Sequence, residues 1–205
     1  MPEPSILRLF VAVELPGEVR EALGRLQHEL QRRGLERLRW VRPEGIHLTL
    51  KFLGATAPEK VPAIKEALTR AVEGIPRFQL TLDHVDTFRG ERVPRVLWVG
   101  IGGQGTFHGE LMTLVQNVEQ EMAGAGYPAE ERGFTGHLTL ARVREGTGGE
   151  MAPKIRATLN DGEALRALIR GHEISVREIV LMRSILASGG AVYERLAAFP
   201  LGSDL

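Results

Sequence analysis

The sequence predicts an α+β fold of two pseudo-symmetric lobes from a tandem duplication, each an antiparallel β-sheet with helices packed outside and the active site in the cleft between lobes. Three observations carry this expectation. Both halves read strand, helix, strand, helix, strand, the mark of an internal repeat. The tetrapeptide His47-Leu48-Thr49-Leu50 returns as His137-Leu138-Thr139-Leu140. The two copies lie 90 positions apart, close to the 88 that separate the preceding strands when these are centred on Val11 and Val99. The chain from 1 to 205 therefore reads as a single two-lobed domain, with repeats at about 6–90 and 95–188 and a final strand at 191–201.

Each element has a local cause. Leu7 to Leu15 is an apolar run of strand length stopped by Pro16-Gly17. From Glu18 to Arg33, Val19, Leu23, Leu26 and Leu30 recur at three- and four-residue steps and mark one face of a helix that Gly34 ends. Leu38 to Val41 is a short extended piece before the turn Pro43-Glu44-Gly45. Ile46 to Leu53 alternates apolar and polar residues as a half-buried strand does. Pro58 opens a helix to Val72, and Phe78 to Phe88 reads as a strand. In the second half, Val96 to Ile101 is a strand broken by Gly102-Gly103, and Phe107 to Met122 is a helix. Gly124 to Pro128 is a connection and His137 to Val143 an alternating strand. A loop at Gly146 to Gly149, a helix from Ile155 to Arg170 and a long strand from Ile174 to Leu186 follow. After the turn Ser188-Gly189-Gly190, a strand from Tyr193 to Leu201 closes the chain.

Composition narrows the classes of function. At 205 residues with 43% hydrophobic and 25% charged residues, the chain is long enough to bury a core unaided. Met1 to Ser5 has no basic segment, and Leu9 to Leu15 is short and carries Glu14, so a cytoplasmic protein with no membrane partner is expected. With no cysteine there is neither a disulfide framework, a thiol nucleophile nor a thiolate metal site. Basic and acidic residues balance at 26 each, so any phosphate-binding surface must be local. The basic set is 22 Arg and only Lys51, Lys60, Lys65 and Lys154.

Residues two apart on a strand share a face, so His47 projects with Thr49, and His137 with Thr139. A pseudo-twofold axis between the halves would gather two imidazoles and two hydroxyls around one small volume. Imidazole titrates near neutrality, so one ring can accept a proton while the other donates one. The hydroxyls would hold non-bridging phosphate oxygens. Such a set suits in-line displacement at phosphorus without a metal, and no cofactor is expected.

The two His-x-Thr-x units resemble the paired motif of the two-histidine phosphoesterase superfamily. Arg8-Leu9-Phe10-Val11-Ala12-Val13, Trp40-Val41-Arg42-Pro43-Glu44-Gly45-Ile46, Lys51-Phe52-Leu53-Gly54, Leu97-Trp98-Val99-Gly100 and Ala141-Arg142 are similar to the bacterial and archaeal RNA 2′,3′-cyclic phosphodiesterases, the LigT-like or 2′-5′ RNA ligase group. Ser184, Gly190, Tyr193 and Phe199-Pro200-Leu201 fit the same group, while Gly136 stands where it often has Pro. The resemblance implies hydrolysis of a cyclic phosphate at an RNA end to a 2′-phosphate, with reversible 2′-5′ ligation in some members. It also implies one histidine as proton donor and the other as proton acceptor, taken as His47 and His137 in that order although the symmetry of the two units does not distinguish them, with Thr49 and Thr139 as phosphate ligands. The partner is then an RNA end or nucleotide with a 2′,3′-cyclic phosphate, and no obligate protein partner is expected of what reads as a monomer. The rival readings are a metal-dependent phosphoesterase using the same histidines and a non-catalytic RNA-end binding module.

Other residues are weaker candidates. By alternation Lys51 shares the face of His47 and Thr49 and could reach a phosphate, and Trp40, Arg42, Arg132 and Phe134 flank the motifs as a candidate RNA wall. By the same strict alternation Arg142 falls on the opposite face and reads as a structural ion pair. Phe88 to Arg95 joins the halves and reads first as a solvated loop, with base stacking as its alternative. His28, His84, His108 and His172 read as structural or exposed.

Overall fold

The structure is a computed structural model that describes residues 6–89, 93–102, 107–131, 133–187 and 190–202. Its nine described strands form one antiparallel sheet rather than two. They are β1 (Leu7–Glu14), β2 (Arg39–Trp40), β3 (His47–Thr56), β4 (Phe78–Arg89), β5 (Pro94–Gly102), β6 (His137–Arg142), β7 (Glu173–Val176), β8 (Glu178–Ala187) and β9 (Gly190–Pro200). The order across the sheet is β7-β4-β5-β6-β3-β1-β8-β9, with β2 added against β6. Five α-helices among the described residues complete the fold: α1 (Gly17–Leu30), α2 (Val61–Ala71), α3 (Phe107–Gly124), α4 (Gly148–Leu159) and α5 (Gly162–Ala167). Among the described residues no helix is long and apolar enough to cross a membrane.

The duplication shows in the strand order, but the halves exchange their outer strands. β3 and β6 meet at the centre, β1 flanks β3 as β5 flanks β6, and then β4 of the first half pairs with β5 while β8 of the second half pairs with β1. Each lobe is thus built from both repeats. β1 aligns Val13 with Leu48 as β5 aligns Val99 with Leu138, so Val13, not Val11, is the partner of Val99 across the repeat.

The long strand expected from Ile174 to Leu186 is two strands. β7 pairs with β4 and β8 with β1, so Arg177 alone carries the chain from one edge of the sheet to the other half, which requires the sheet to curl. The single helix expected from Ile155 to Arg170 is also two, because Asn160-Asp161-Gly162 are poor helix formers that break it, and α4 already starts at Gly148 within the expected loop.

One face of the sheet carries the core. Leu9, Val11 and Val13 of β1, Leu48 and Leu50 of β3, and Leu138 and Leu140 of β6 pack against Val19, Leu23, Leu26 and Leu30 of α1 and against the other helices. The α1 stripe is the one its spacing predicts. The helix runs through a wider turn at Gln31–Leu35 and leaves helical geometry at Gly34, whose φ of 97° favours glycine. On the other face Phe10, Ala12, Val180 and Met182 make a small second cluster, joined by Tyr193 and Ala198.

Candidate active site

β3 and β6 pair through a single residue pair, Leu48 with Leu138. A ladder of one pair lets the half-sheets separate on either side, and the pair marks the pseudo-twofold axis. Both leucines point into the core, so their neighbours His47, Thr49, His137 and Thr139 all project from the opposite face. Antiparallel register sets His47 on the Thr139 side of the pair and Thr49 on the His137 side. The four groups that the sequence singled out are therefore brought together.

The two rings are held in matching ways. His47 Nδ1 lies 2.9 Å from the Gly45 carbonyl oxygen and His137 Nδ1 lies 2.8 Å from that of Thr135. A carbonyl only accepts, so each Nδ1 carries the hydrogen and each Nε2 is the ring's unprotonated nitrogen. Aromatic rings wall both imidazoles. Phe10 stacks on His47 at 4.7 Å between centroids, and Tyr193 meets it edge-on at 4.9 Å. Phe88 meets His137 edge-on at 4.7 Å and itself stacks on Trp98. Burial pushes the His47 imidazole down to about 4, and the nearby His137 adds to this against the Gly45 hydrogen bond. Burial also lowers the pKa of His137, with the Arg142 charge acting in the same direction. Both rings are thus neutral in the free protein at neutral pH.

Beyond the threonines, a bulge on each strand changes what the site contains. β1 pairs Ala12 with Thr49 but Val11 with Lys51, and β5 pairs Trp98 with Thr139 but Leu97 with Ala141. Leu50 and Leu140 are the extra residues, each adjacent to a second buried residue, and alternation resumes one step late. Lys51 is therefore absent from the site. It is buried on the helix side, where its Nζ donates to Glu119 Oε2 of α3 at 2.6 Å and to the Pro128 carbonyl at 2.9 Å. The following residue, Phe52, is 60% exposed on the histidine face, 6.2 Å from Phe10 between centroids. At the equivalent place on β6, Arg142 is exposed on that same face, contrary to the strict-alternation reading. A bulge has no signature in a Leu-Thr-Leu-Lys or Leu-Thr-Leu-Ala run, which is why the sequence misassigned both faces.

The remaining candidates divide. Trp40 pairs with Ala141, packs on the core side and donates its indole N–H to the Leu35 carbonyl at 3.1 Å, so it is structural. Phe134, partly buried, packs on the core beside Gly136, where a Cβ would approach Ile101 and the Phe134 ring. Arg42 is exposed before the 3₁₀ turn Pro43–Gly45, and Arg132 lies outside the described residues. Phe88, which the sequence places both at the end of a strand and at the start of the connecting run, belongs to β4 and reaches His137, whereas residues 90–92 lie outside the described residues. Sequence reading also missed Gln27, a buried residue of α1 whose Nε2 donates to the carbonyls of Val41 and Leu140 at 2.8 and 3.1 Å. It thereby ties the β6 bulge to the core, and a polar residue inside an apolar helix stripe was its only signal. Among the described residues no three His, Asp or Glu side chains group as a metal site.

Two histidines, two threonines and an arginine share one face of a curled sheet of duplicated halves, a set of groups suited to phosphoester chemistry. The chain belongs to the LigT-like phosphoesterase family, whose sequence model matches it twice, over residues 13–98 and 103–193. The paired match agrees with the duplication. A protein of Archaeoglobus fulgidus called RNA 2′,3′-cyclic phosphodiesterase is 31% identical over 193 residues, 94% of this chain and 99% of that one. Among solved structures, E. coli LigT complexed with 3′-AMP is 27% identical with a TM-score of 0.74, covering 96% of this chain and 99% of its own. A Thermus thermophilus protein of known structure is 27% identical with a TM-score of 0.72 over 95% of this chain and 97% of its own.

Proposed function

We propose that the protein is a metal-independent RNA 2′,3′-cyclic phosphodiesterase that opens the cyclic phosphate to a 2′-phosphate by His/His acid–base catalysis. The observation that carries the reading is the convergence of two imidazoles with identical tautomers, neither Nε2 having a hydrogen-bond partner among the described residues, around the Leu48–Leu138 pair. The name of the A. fulgidus relative and the nucleotide bound by E. coli LigT support the substrate class. His137 Nε2 takes a proton from the attacking water as the new P–O bond forms, and His47 Nε2 gives one to O3′ as the P–O3′ bond breaks. The hydroxyls of Thr49 and Thr139 and the Arg142 guanidinium hold the non-bridging oxygens, whose charge grows in the transition state.

Burial opposes the imidazolium at both rings, most at His47. The phosphate anion brought against the rings favours the charged form, so the donor acquires its proton with substrate in place. With a 5′-hydroxyl RNA end attacking in place of water, the same groups give a 2′-5′ linkage. Phe52, exposed beside Phe10, offers a face for the terminal base. The enzyme acts on RNA ends as a cytoplasmic monomer. The test is incubation of an oligoribonucleotide ending in a 2′,3′-cyclic phosphate, in EDTA, with identification of the product isomer. A 2′-phosphate end is expected, and a 3′-phosphate or an unchanged end contradicts the reading.

A further inference from the structure

Where β2 joins β6, the ladder sets Arg39 directly opposite Arg142. Like charges in a cross-strand pair repel, which disfavours the fold at this point. Neither guanidinium has an ion-pair partner among the described residues. Beside them a cavity of about 490 Å³ is lined by Arg39, Arg142, Val143, Arg144 and Glu145. Arg144 is fixed by donation from its Nε to the Arg37 carbonyl at 3.1 Å, and Arg37 is itself paired with Glu150. Three arginines against one acid in the wall give this cavity a net positive charge in a chain whose overall charge is zero. Arg142 in its wall stands on the histidine face, three residues beyond Thr139.

Resting on the phosphodiesterase reading, we infer that Arg39 and Arg144 form a second phosphate subsite that takes the phosphate on O5′ of the terminal nucleotide while the cyclic phosphate sits between the histidines. Guanidinium forks match phosphate oxygens bidentately, and a bound anion removes the repulsion between Arg39 and Arg142. Arg142 lies between the two phosphates and links the subsites. Such a site makes the enzyme read RNA length: an end carried on a chain binds better than an isolated nucleoside cyclic phosphate.

The experiment compares three substrates, a nucleoside 2′,3′-cyclic phosphate, its 5′-phosphorylated form, and a dinucleotide with the same cyclic end, using the wild type, Arg39→Gln and Arg144→Gln. Each substitution should lower kcat/KM about tenfold on substrates with an O5′ phosphate, the size of one charge-assisted contact, and leave the nucleoside cyclic phosphate unaffected. The gain with both extended substrates assigns the pocket to either phosphate form, and a gain with the dinucleotide alone restricts it to the internucleotide diester. For a trinucleotide ending in a 2′-phosphate, calorimetric binding should weaken by the same factor, with a salt slope shallower by about 0.7 per contact removed. Equal losses on all three substrates, or none on the extended ones, overturn the subsite. If the wild type opened none of the substrates, the phosphodiesterase reading would fall, and trinucleotide binding unaffected by both substitutions would separately overturn the subsite.

Discussion

His47 is enclosed by Phe10 and Tyr193, and its burial has a measurable cost in acid. Its pKa is lowered to about 4 in the folded protein against 6.5 in an open chain. On lowering the pH, the unfolded chain takes up the proton first. The stability tied to the neutral ring is therefore fully present above pH 6.5 and is lost as pH falls from there towards 4. The gap corresponds to about 3 kcal/mol in full, and about 2.5 kcal/mol of it should be gone at pH 4.5. The assay is urea denaturation of the wild type and His47→Gln at pH 7 and pH 4.5. Carboxylates titrate in both proteins and cancel in the difference between them, and His137 cancels apart from its small coupling to His47. The wild type should lose about 2.5 kcal/mol more than His47→Gln over this interval. An equal loss in the two proteins would refute the claim that the ring is held neutral by its aromatic enclosure.

Three further outcomes are expected. Thr49→Val and Thr139→Val keep the branched strand shape and remove one hydroxyl each, so kcat should fall roughly 10- to 1,000-fold with little change in melting temperature. His47→Ala and His137→Ala should each lower turnover of the cyclic phosphate about 10²- to 10⁴-fold. On a phosphodiester with a nitrophenolate leaving group, which departs unprotonated, His47→Ala alone should regain activity, whereas rescue of His137→Ala instead would exchange the two roles. Lys51→Met should cost up to about 3 kcal/mol of stability by leaving Glu119 without its buried partner, yet leave kcat/KM unchanged.

Much of the fold and the centre of the site were legible because they rest on periodicity. The strand alternation that points Leu48 and Leu138 inward also points His47, Thr49, His137 and Thr139 outward, and the leucine stripe of α1 fixes its buried face. What the sequence hid depends on backbone geometry or distant pairing. The bulges at Leu50 and Leu140 removed Lys51 from the site and brought Phe52 and Arg142 into it. Strand exchange between the halves is set by which edges meet in three dimensions, and local residue patterns do not encode it. Arg39 joins the second phosphate pocket only because a two-residue strand docks beside Arg142. Trp40 and Phe134 show the converse, since both lie close to a motif in sequence yet pack against the core.

The proposed catalysis requires one neutral and one charged imidazole working together without a metal. The direct measurement is the pH profile of kcat/KM for opening a 2′,3′-cyclic phosphate, taken before and after exhaustive dialysis against EDTA. Because both pKa values are lowered in the free protein, the bell should be centred below 6.5, with limbs belonging to the coupled pair. It should be identical after dialysis. Activity that disappears with chelation and returns on adding a divalent ion would contradict the account and make His47 and His137 metal ligands.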